Sequence, residues 1–162
     1  MAIADTIAIA NAQSGDEIAT VRGIFVEYAK WIGISLEYQH FDDEVASLPG
    51  KYAPPHGRLL LARVDGVIAG CGALRQIDGD VCEMKRVYVR PEFRGSGIGG
   101  KIIDRLIEDA RAIGYRAMRL DTIGDKMGDA IRLYRRIGFH EIAAYYEGAP
   151  ASTIFMELKL RE

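Results

Sequence analysis

The chain is poor in cysteine, in net charge and in long apolar runs, and each shortage removes a class of protein. Its two cysteines, Cys71 and Cys82, fall inside predicted strands, with no CxxC pair and no Cys/His cluster at metal-ligand spacing. A disulfide framework and a zinc centre fall away, buried reduced thiols are expected, and no metal is expected at the site. No apolar run approaches the roughly 18 residues of a membrane span. Met1-Ala2-Ile3-Ala4-Asp5 lacks the basic start and apolar run of a signal peptide, so the expected location is the cytoplasm, with no membrane partner. A formal charge of -2 with a pI near 6.0 offers no global field for nucleic acid. No internal repeat or low-complexity segment is present.

The 162 residues suit one domain, residues 1–162, large enough to bury most of its core without disulfides or metal. Ile3 to Ala10 reads as a first strand, and Ser14-x-x-Glu17 is a capping box opening a helix whose apolar stripe is Ile18, Val21, Phe25, Tyr28 and Ile32, stopped by Gly33. A weaker helical pattern runs from Phe41 to Leu48. Trp31, Tyr38, Phe41, Asp42, Asp43 and Glu44 gather nearby, either as core aromatics with a solvated acidic helix start or as the lining for a cationic amine. Leu59 to Val64 and Val67 to Ile77 read as strands joined by Asp65-Gly66, a dipeptide suited to a type I′ hairpin, and Asp78-Gly79 turns the chain into Val81 to Val89. Then come a helix from Gly97 to Ile113, a strand from Arg116 to Asp121 and a helix from about Asp125 to Ile137. Phe139 to Tyr146 and Thr153 to Leu160 complete the strands. Strand, crossover helix and strand form a right-handed unit, so Val81–Val89 and Arg116–Asp121 should run parallel, which makes the sheet a mixed one.

One stretch organises the chemistry: Arg94-Gly95-Ser96-Gly97-Ile98-Gly99-Gly100-Lys101, between a strand and a helix N-terminus. Glycines let backbone N–H groups converge there, and the helix dipole adds positive potential, so the stretch is a candidate phosphate cradle. Gly95-x-Gly97-x-x-Gly100 matches a dinucleotide fingerprint literally, with Asp121 downstream. Arg90-Pro91-Glu92-Phe93-Arg94 separates it from the strand, however, and Glu83, Lys85 and Arg86 are charges that a parallel central strand buried on both faces rarely tolerates. Gly95-x-x-x-x-Gly100-Lys101 imitates a P-loop but continues with Ile102, where a hydroxyl should hold magnesium.

The third pattern is Arg94-x-x-Gly97-x-Gly99, after Val87-Tyr88-Val89 and before an amphipathic helix. With Ala130-x-x-Leu133-Tyr134-x-x-x-Gly138-Phe139, it resembles the GCN5-related N-acetyltransferase (GNAT) family, most strongly from Glu83 to Phe139. The resemblance implies an α/β (α+β) single domain with a mixed, mostly antiparallel sheet of about seven strands and about four helices. It also implies transfer of an acetyl group from acetyl-CoA to a primary amine, directly in a ternary complex.

Several roles are implied with it. The pantetheine arm pairs with backbone groups around Val87, Tyr88 and Val89, adding a pseudo-strand where two strands splay apart. The amides of Arg94, Gly95, Ser96, Gly97, Ile98, Gly99 and Gly100 hold the diphosphate. Glu83 stands where some members carry a catalytic glutamate, with His140 as the other candidate base, and Tyr134 is the expected acid for the leaving thiolate. A backbone N–H near Val89 is expected to stabilise the oxyanion. Met127 departs from the family, in which an asparagine commonly holds the pantetheine. Asp121-Thr122 either touches substrate or cofactor or serves as a cap, and Arg132, Arg135 and Arg136 face either the 3′-phosphate of CoA or solvent. Acetylation of Cys71 or Cys82 in a ping-pong route has no adjacent base to support it. The loops Trp31–His56 and Tyr145–Pro150 are expected to wall the acceptor side. A non-catalytic acyl-CoA-binding module and a dinucleotide-binding protein are the alternatives; a homodimer stays open.

Overall fold

The computed structural model describes residues 6–33, 35–124 and 127–161. Strand β1 (Ile7–Asn11) leads into helix α1 (Gly15–Ile32), where the Ser14 side chain accepts from the Glu17 amide and the Glu17 side chain returns to the Ser14 amide. This reciprocal cap satisfies two donors that a helix start leaves unpaired. Val21, Ile24, Phe25, Tyr28 and Ile32 are buried along one side of α1. Ile3, Ala4 and Asp5 of the expected first strand lie outside the described residues.

Two single 3₁₀ turns, Glu37–Gln39 and Gly50–Tyr52, bracket α2 (Phe41–Ala46), which ends two residues short of the expected Leu48. Strands β2 (Arg58–Val64), β3 (Val67–Asp78) and β4 (Val81–Val89) form the expected meander. Asp65 and Gly66 turn its first hairpin at φ 50° and 82°, the double positive φ that a type I′ turn needs. Helix α3 (Ile98–Ile113), strand β5 (Ala117–Ile123), helix α4 (Gly128–Ile137) and strands β6 (His140–Ile142) and β7 (Thr153–Lys159) follow. Asp125 and Lys126, where α4 was expected to begin, lie outside the described residues.

One expectation is corrected. The strand expected over Phe139–Tyr146 pairs with β7 only from His140 to Ile142. The chain then leaves the sheet, and Tyr145 and Tyr146 stack on each other and on Phe155 at ring separations of 5.6, 5.2 and 5.1 Å. Aromatic packing against the sheet face takes the place of a ladder at its edge.

The seven strands run in the order β1-β2-β3-β4-β5-β7-β6. All neighbouring pairs are antiparallel except β4 and β5. That parallel pair holds only through Val81, Cys82 and Glu83, opposite Ala117, Met118 and Arg119. Beyond it β4 continues to Val89 along β3 and β5 continues to Ile123 along β7, so the two strands part and leave a wedge in the middle of the sheet.

Alternation sends Leu60, Ala62, Leu74, Cys82, Met84, Met118 and Leu120 to the core shared with α3 and α4. Leu59, Leu61, Cys71, Ala73 and Tyr88 face the core under α1 and α2. Helix α3 buries Ile98, Ile102, Ile103, Leu106 and Ile107, each worth about 1.5–3 kcal/mol of transfer free energy. It sits so close to the sheet that a Cβ on Gly72 would lie 2.5 Å from Ile102 Cγ2. No helix among the described residues is long and apolar enough to cross a membrane.

Candidate active site

A half-buried sheet face is normally apolar, yet beside the wedge this one carries charge. Arg75 on β3, Glu83 and Lys85 on β4, and Arg119 and Asp121 on β5 occupy alternate positions of neighbouring strands, so all point to the face that α2 and the chain after β6 partly cover. Asp121 lines a narrow slot, and beside it Arg75, Glu83 and Lys85 floor a cavity of about 640 Å³, within the range of small-molecule sites. Its walls are Gln39, Glu44, Tyr52, Tyr145 and Tyr146, with Asp43, Lys51 and Glu147 at the rim.

Two rows of contacts cross the floor. In the outer row, Arg75 places Nε and Nη2 at 2.9 and 2.8 Å from Glu83 Oε1, and the Tyr145 hydroxyl donates to Glu83 Oε2. Glu83 is 1% exposed, and a carboxylate so buried needs partners of this kind. Arg119 supports the row from behind: its Nε donates to Glu157 at 2.8 Å, and its guanidinium lies 5.4 Å from the Tyr145 ring centre.

The inner row lies nearer the wedge. Lys85 Nζ donates to Gln39 Oε1 at 3.1 Å and stands 3.9 Å from Asp121 Oδ1. Gln39 Nε2 donates to Asp121 Oδ2 at 2.9 Å, and the Tyr146 hydroxyl donates to the same oxygen. Burial holds the Lys85 pKa below the usual lysine range, opposed by the carboxylates of Asp121 and Glu83.

At the wedge itself, Tyr28, Ile32, Arg86, Asp121, Thr122, Ile123 and Met127 line a narrow slot, and Gln39 lines both the slot and the cavity. Arg86 sits at φ 59° where two residues of β4 oppose one of β3. This β-bulge turns the strand and aims Arg86 at Glu44 of α2, with Nε–Oε2 at 2.9 Å, between the faces of Phe41 and Tyr28.

The glycine-rich loop closes the far end of the wedge. Gly95 and Gly97 take φ values of 82° and 84°, and Gly97 is the N-cap of α3. The first amide to find a helical partner is that of Lys101, which donates to the Gly97 carbonyl. The amides of Ile98, Gly99 and Gly100 therefore open outward from the helix start, because the first turn of any α-helix has no carbonyls behind it to accept them. A Cβ at Gly95, Gly97 or Gly100 would meet no protein atom within 4 Å, so the space above the loop is open. Arg94 braces the loop, donating from Nε to the Val89 carbonyl at 3.0 Å and stacking over Trp31 and Tyr88 at 4.9 and 5.5 Å. Converging amides, absent side chains and a helix N-terminus fit a diphosphate.

The remaining expected residues divide. Val87, Tyr88 and Val89 lie on β4 beyond its last pairing with β5, on the edge facing the wedge. Tyr134 is buried against Phe139, with ring centres 5.6 Å apart. Burial, with Tyr28 and Asp121 nearby, pushes its pKa well up, and its hydroxyl finds no hydrogen-bond partner among the described residues. His140 is exposed on β6 and is not among the residues lining the cavity. Arg132, Arg135 and Arg136 are exposed on α4. Met127 lines the slot and accepts the Thr122 hydroxyl on its sulfur. Phe41 packs in the core, Asp42 is solvated, Asp43 and Glu44 reach the cavity, and the Tyr38 side chain lies outside what is described. Burial pushes the Cys82 thiol up to about 12 and raises Cys71 as well, which leaves both inert as nucleophiles. Among the described residues no group of three or more His, Cys, Asp or Glu is placed to hold a metal ion.

Sequence reasoning missed Arg75, Lys85, Gln39 and the contacts of Tyr145. The signal for the first two was present: charges at alternate positions of adjacent strands, with Arg75 directly opposite Glu83 across the hairpin. Gln39 reaches the floor from a single 3₁₀ turn and Tyr145 from irregular chain, and neither carries a pattern of its own.

A family model described as the acetyltransferase (GNAT) family matches residues 23–139. An uncharacterized N-acetyltransferase of Schizosaccharomyces pombe is 36% identical over 156 residues, spanning 95% of each chain. Of solved structures, a GNAT-family acetyltransferase from Staphylococcus aureus superposes with a TM-score of 0.77 at 21% identity, over 96% of this chain and 100% of that one. The paia N-acetyltransferase of Thermoplasma acidophilum in complex with coenzyme A gives a TM-score of 0.73 at 22% identity, over 95% and 99%.

Proposed function

The chain belongs to the acetyltransferase (GNAT) family and is an acetyl-CoA-dependent N-acetyltransferase; from that premise we propose direct transfer, in a ternary complex, to a small-molecule primary amine. The observation that carries this reading is the wedge between β4 and β5. It has an amide-rich loop at one end and a walled cavity of about 640 Å³ on one face, so two substrates enter from different sides and meet in the middle. A cavity of that size suits a small acceptor.

The loop from Arg94 to Gly100 would hold the diphosphate of acetyl-CoA, and the open edge of β4 from Val87 to Val89 would hold its pantetheine amides as an added strand. That group supplies the activated acyl carbon. Tyr134 gives its hydroxyl proton to the sulfur as the carbon–sulfur bond breaks. Its lack of a partner and its raised pKa both support the role, because the hydroxyl stays protonated and available. Two protons leave an ammonium on its way to an amide. Glu83 receives the first, through the Tyr145 hydroxyl that already donates to it, and passes it to solvent. The second, shed as the carbon–nitrogen bond forms, replaces the proton lost by Tyr134. A backbone N–H near Val89 steadies the carbonyl oxygen. A cytoplasmic setting suits two free, buried thiols.

Thiol release from acetyl-CoA, followed across a panel of amines, tests the reading. Amine-dependent release is expected; CoA binding without it would leave a binding module. Thermal shifts with NAD, NADP, ATP and acetyl-CoA side by side separate the dinucleotide alternative, since only a ligand of the native state raises the melting temperature.

A further inference from the structure

The inner row of the floor holds opposite charges at an unusual spacing. Lys85 Nζ and Asp121 Oδ1 stand 3.9 Å apart, too far for a hydrogen bond, with both side chains at most 10% exposed. What joins them is the carboxamide of Gln39. Its Oε1 accepts from Lys85 and its Nε2 donates to Asp121. A neutral amide is a weak partner for two buried charges, because hydrogen bonds with ions at both ends are stronger. Of the three protons on a lysine ammonium, one has a partner within hydrogen-bond distance among the described residues.

The pattern of that bridge is specific. It presents an acceptor to Lys85 and a donor to Asp121, separated by the width of one planar group. An α-amino acid presents the same pair, carboxylate and ammonium, with full charges. Gln39 also belongs to both the cavity and the slot, so a ligand that takes its place stands at the junction where the acceptor must meet the wedge.

We propose, resting on the acetyltransferase reading above, that the acceptor is a free α-amino acid whose carboxylate binds Lys85 and whose amine is set on Asp121, displacing the side-chain amide of Gln39. A polyamine would bring a second cation against Lys85 and Arg75. A peptide N-terminus offers an amide where the carboxylate is needed. Either leaves Lys85 with an unmatched charge in a buried site, the arrangement that discriminates most strongly against a wrong substrate. The amino acid's side chain would occupy the outer cavity between Tyr52, Ile77 and the two tyrosines, whose rim offers Asp43, Lys51 and Glu147. The amine then lies one side-chain row, about 7 Å, from Glu83, a gap for the Tyr145 hydroxyl and one water.

The test uses matched triples with acetyl-CoA and the intact chain: L-leucine, L-leucinamide and isopentylamine, and the same series built on phenylalanine and lysine, with spermidine and a tripeptide alongside. In at least one triple the acid is expected to exceed its carboxamide and its decarboxylated amine by about 10²-fold in kcat/KM, the scale of one lost charge-assisted hydrogen bond. Lys85→Met should shrink that ratio to a few-fold. Gln39→Ala, a change at the end of a single 3₁₀ turn that keeps the protein testable if Lys85→Met fails to fold, should preserve the preference and lower KM for the acid. Equal or better use of amides, plain amines, spermidine or the tripeptide overturns the proposal and leaves the acetyltransferase reading standing. Thiol release from no compound at all, with CoA bound normally, overturns both.

Discussion

Replacing Glu44 by leucine should unfold the wall of the acceptor cavity before it touches the CoA side. The Arg86 side chain is 2% exposed, and its guanidinium holds Glu44 through Nε at 2.9 Å and Nη2 at 3.3 Å. Tyr52 adds its hydroxyl to the same carboxylate at 2.8 Å. Removing one partner of a buried pair leaves the other uncompensated, at about 3–5 kcal/mol. Phe41 and Tyr28 still present their faces to the guanidinium, which should hold the loss to about 3–4 kcal/mol, since each such contact contributes about 0.5–2 kcal/mol. For a domain of this size that lowers Tm by about 6–16 °C. Urea and thermal unfolding of Glu44→Leu, Arg86→Met and the double variant complete the cycle. The double variant should recover most of the loss, because two apolar side chains replace a pair that is costly to bury. A loss under about 1 kcal/mol for Glu44→Leu, or a double variant as unstable as the sum of the singles, would refute the claim that this pair pins α2 to the bulge of β4.

Gly97→Glu should abolish acetyl-CoA binding in calorimetry while leaving a cooperative unfolding transition, because the new side chain enters open space above the loop and costs the fold only about 1–2 kcal/mol of backbone strain at φ 84°; retained affinity would count against the cradle. Tyr134→Phe should lower kcat about 10²-fold with little change in KM for acetyl-CoA. Burial disfavours the phenolate and raises the Tyr134 pKa, so ionisation of this group should produce no basic limb in the wild-type kcat profile below about pH 10; such a limb, absent from the phenylalanine variant, would contradict its assigned state. Gly72→Ala should cost about 1–3 kcal/mol in chemical unfolding, because its methyl meets Ile102 at 2.5 Å and Leu106 at 3.1 Å, and the displaced α3 should carry weaker CoA affinity with it.

Much of this was legible in the chain because the signals were local. Asp65-Gly66, the Ser14–Glu17 box and the Gly33, Gly114 and Gly138 stops announce their own backbone geometry, and the structure places each at the boundary it marks. The glycine loop could be found because the cradle proposed for it needs the absence of side chains. The charged cluster proposed to take the acceptor could not, because Arg75, Lys85 and Asp121 become neighbours only through strand register, and Gln39 reaches Lys85 and Asp121 across 46 and 82 positions of sequence. The strand expected through Tyr146 stopped at Ile142 for a related reason. The apolar and aromatic residues from Ile142 to Tyr146 suit a ladder and an aromatic stack equally well, and Phe155 decides between them from β7.

Where CoA lies is the most direct test. A crystal structure with CoA bound should show the diphosphate within hydrogen-bond distance of the amides between Gly95 and Gly100, the pantetheine along β4 from Val87 to Val89, and the sulfur within about 3.5 Å of the Tyr134 hydroxyl. A diphosphate seated elsewhere, or a sulfur remote from Tyr134, would contradict the account.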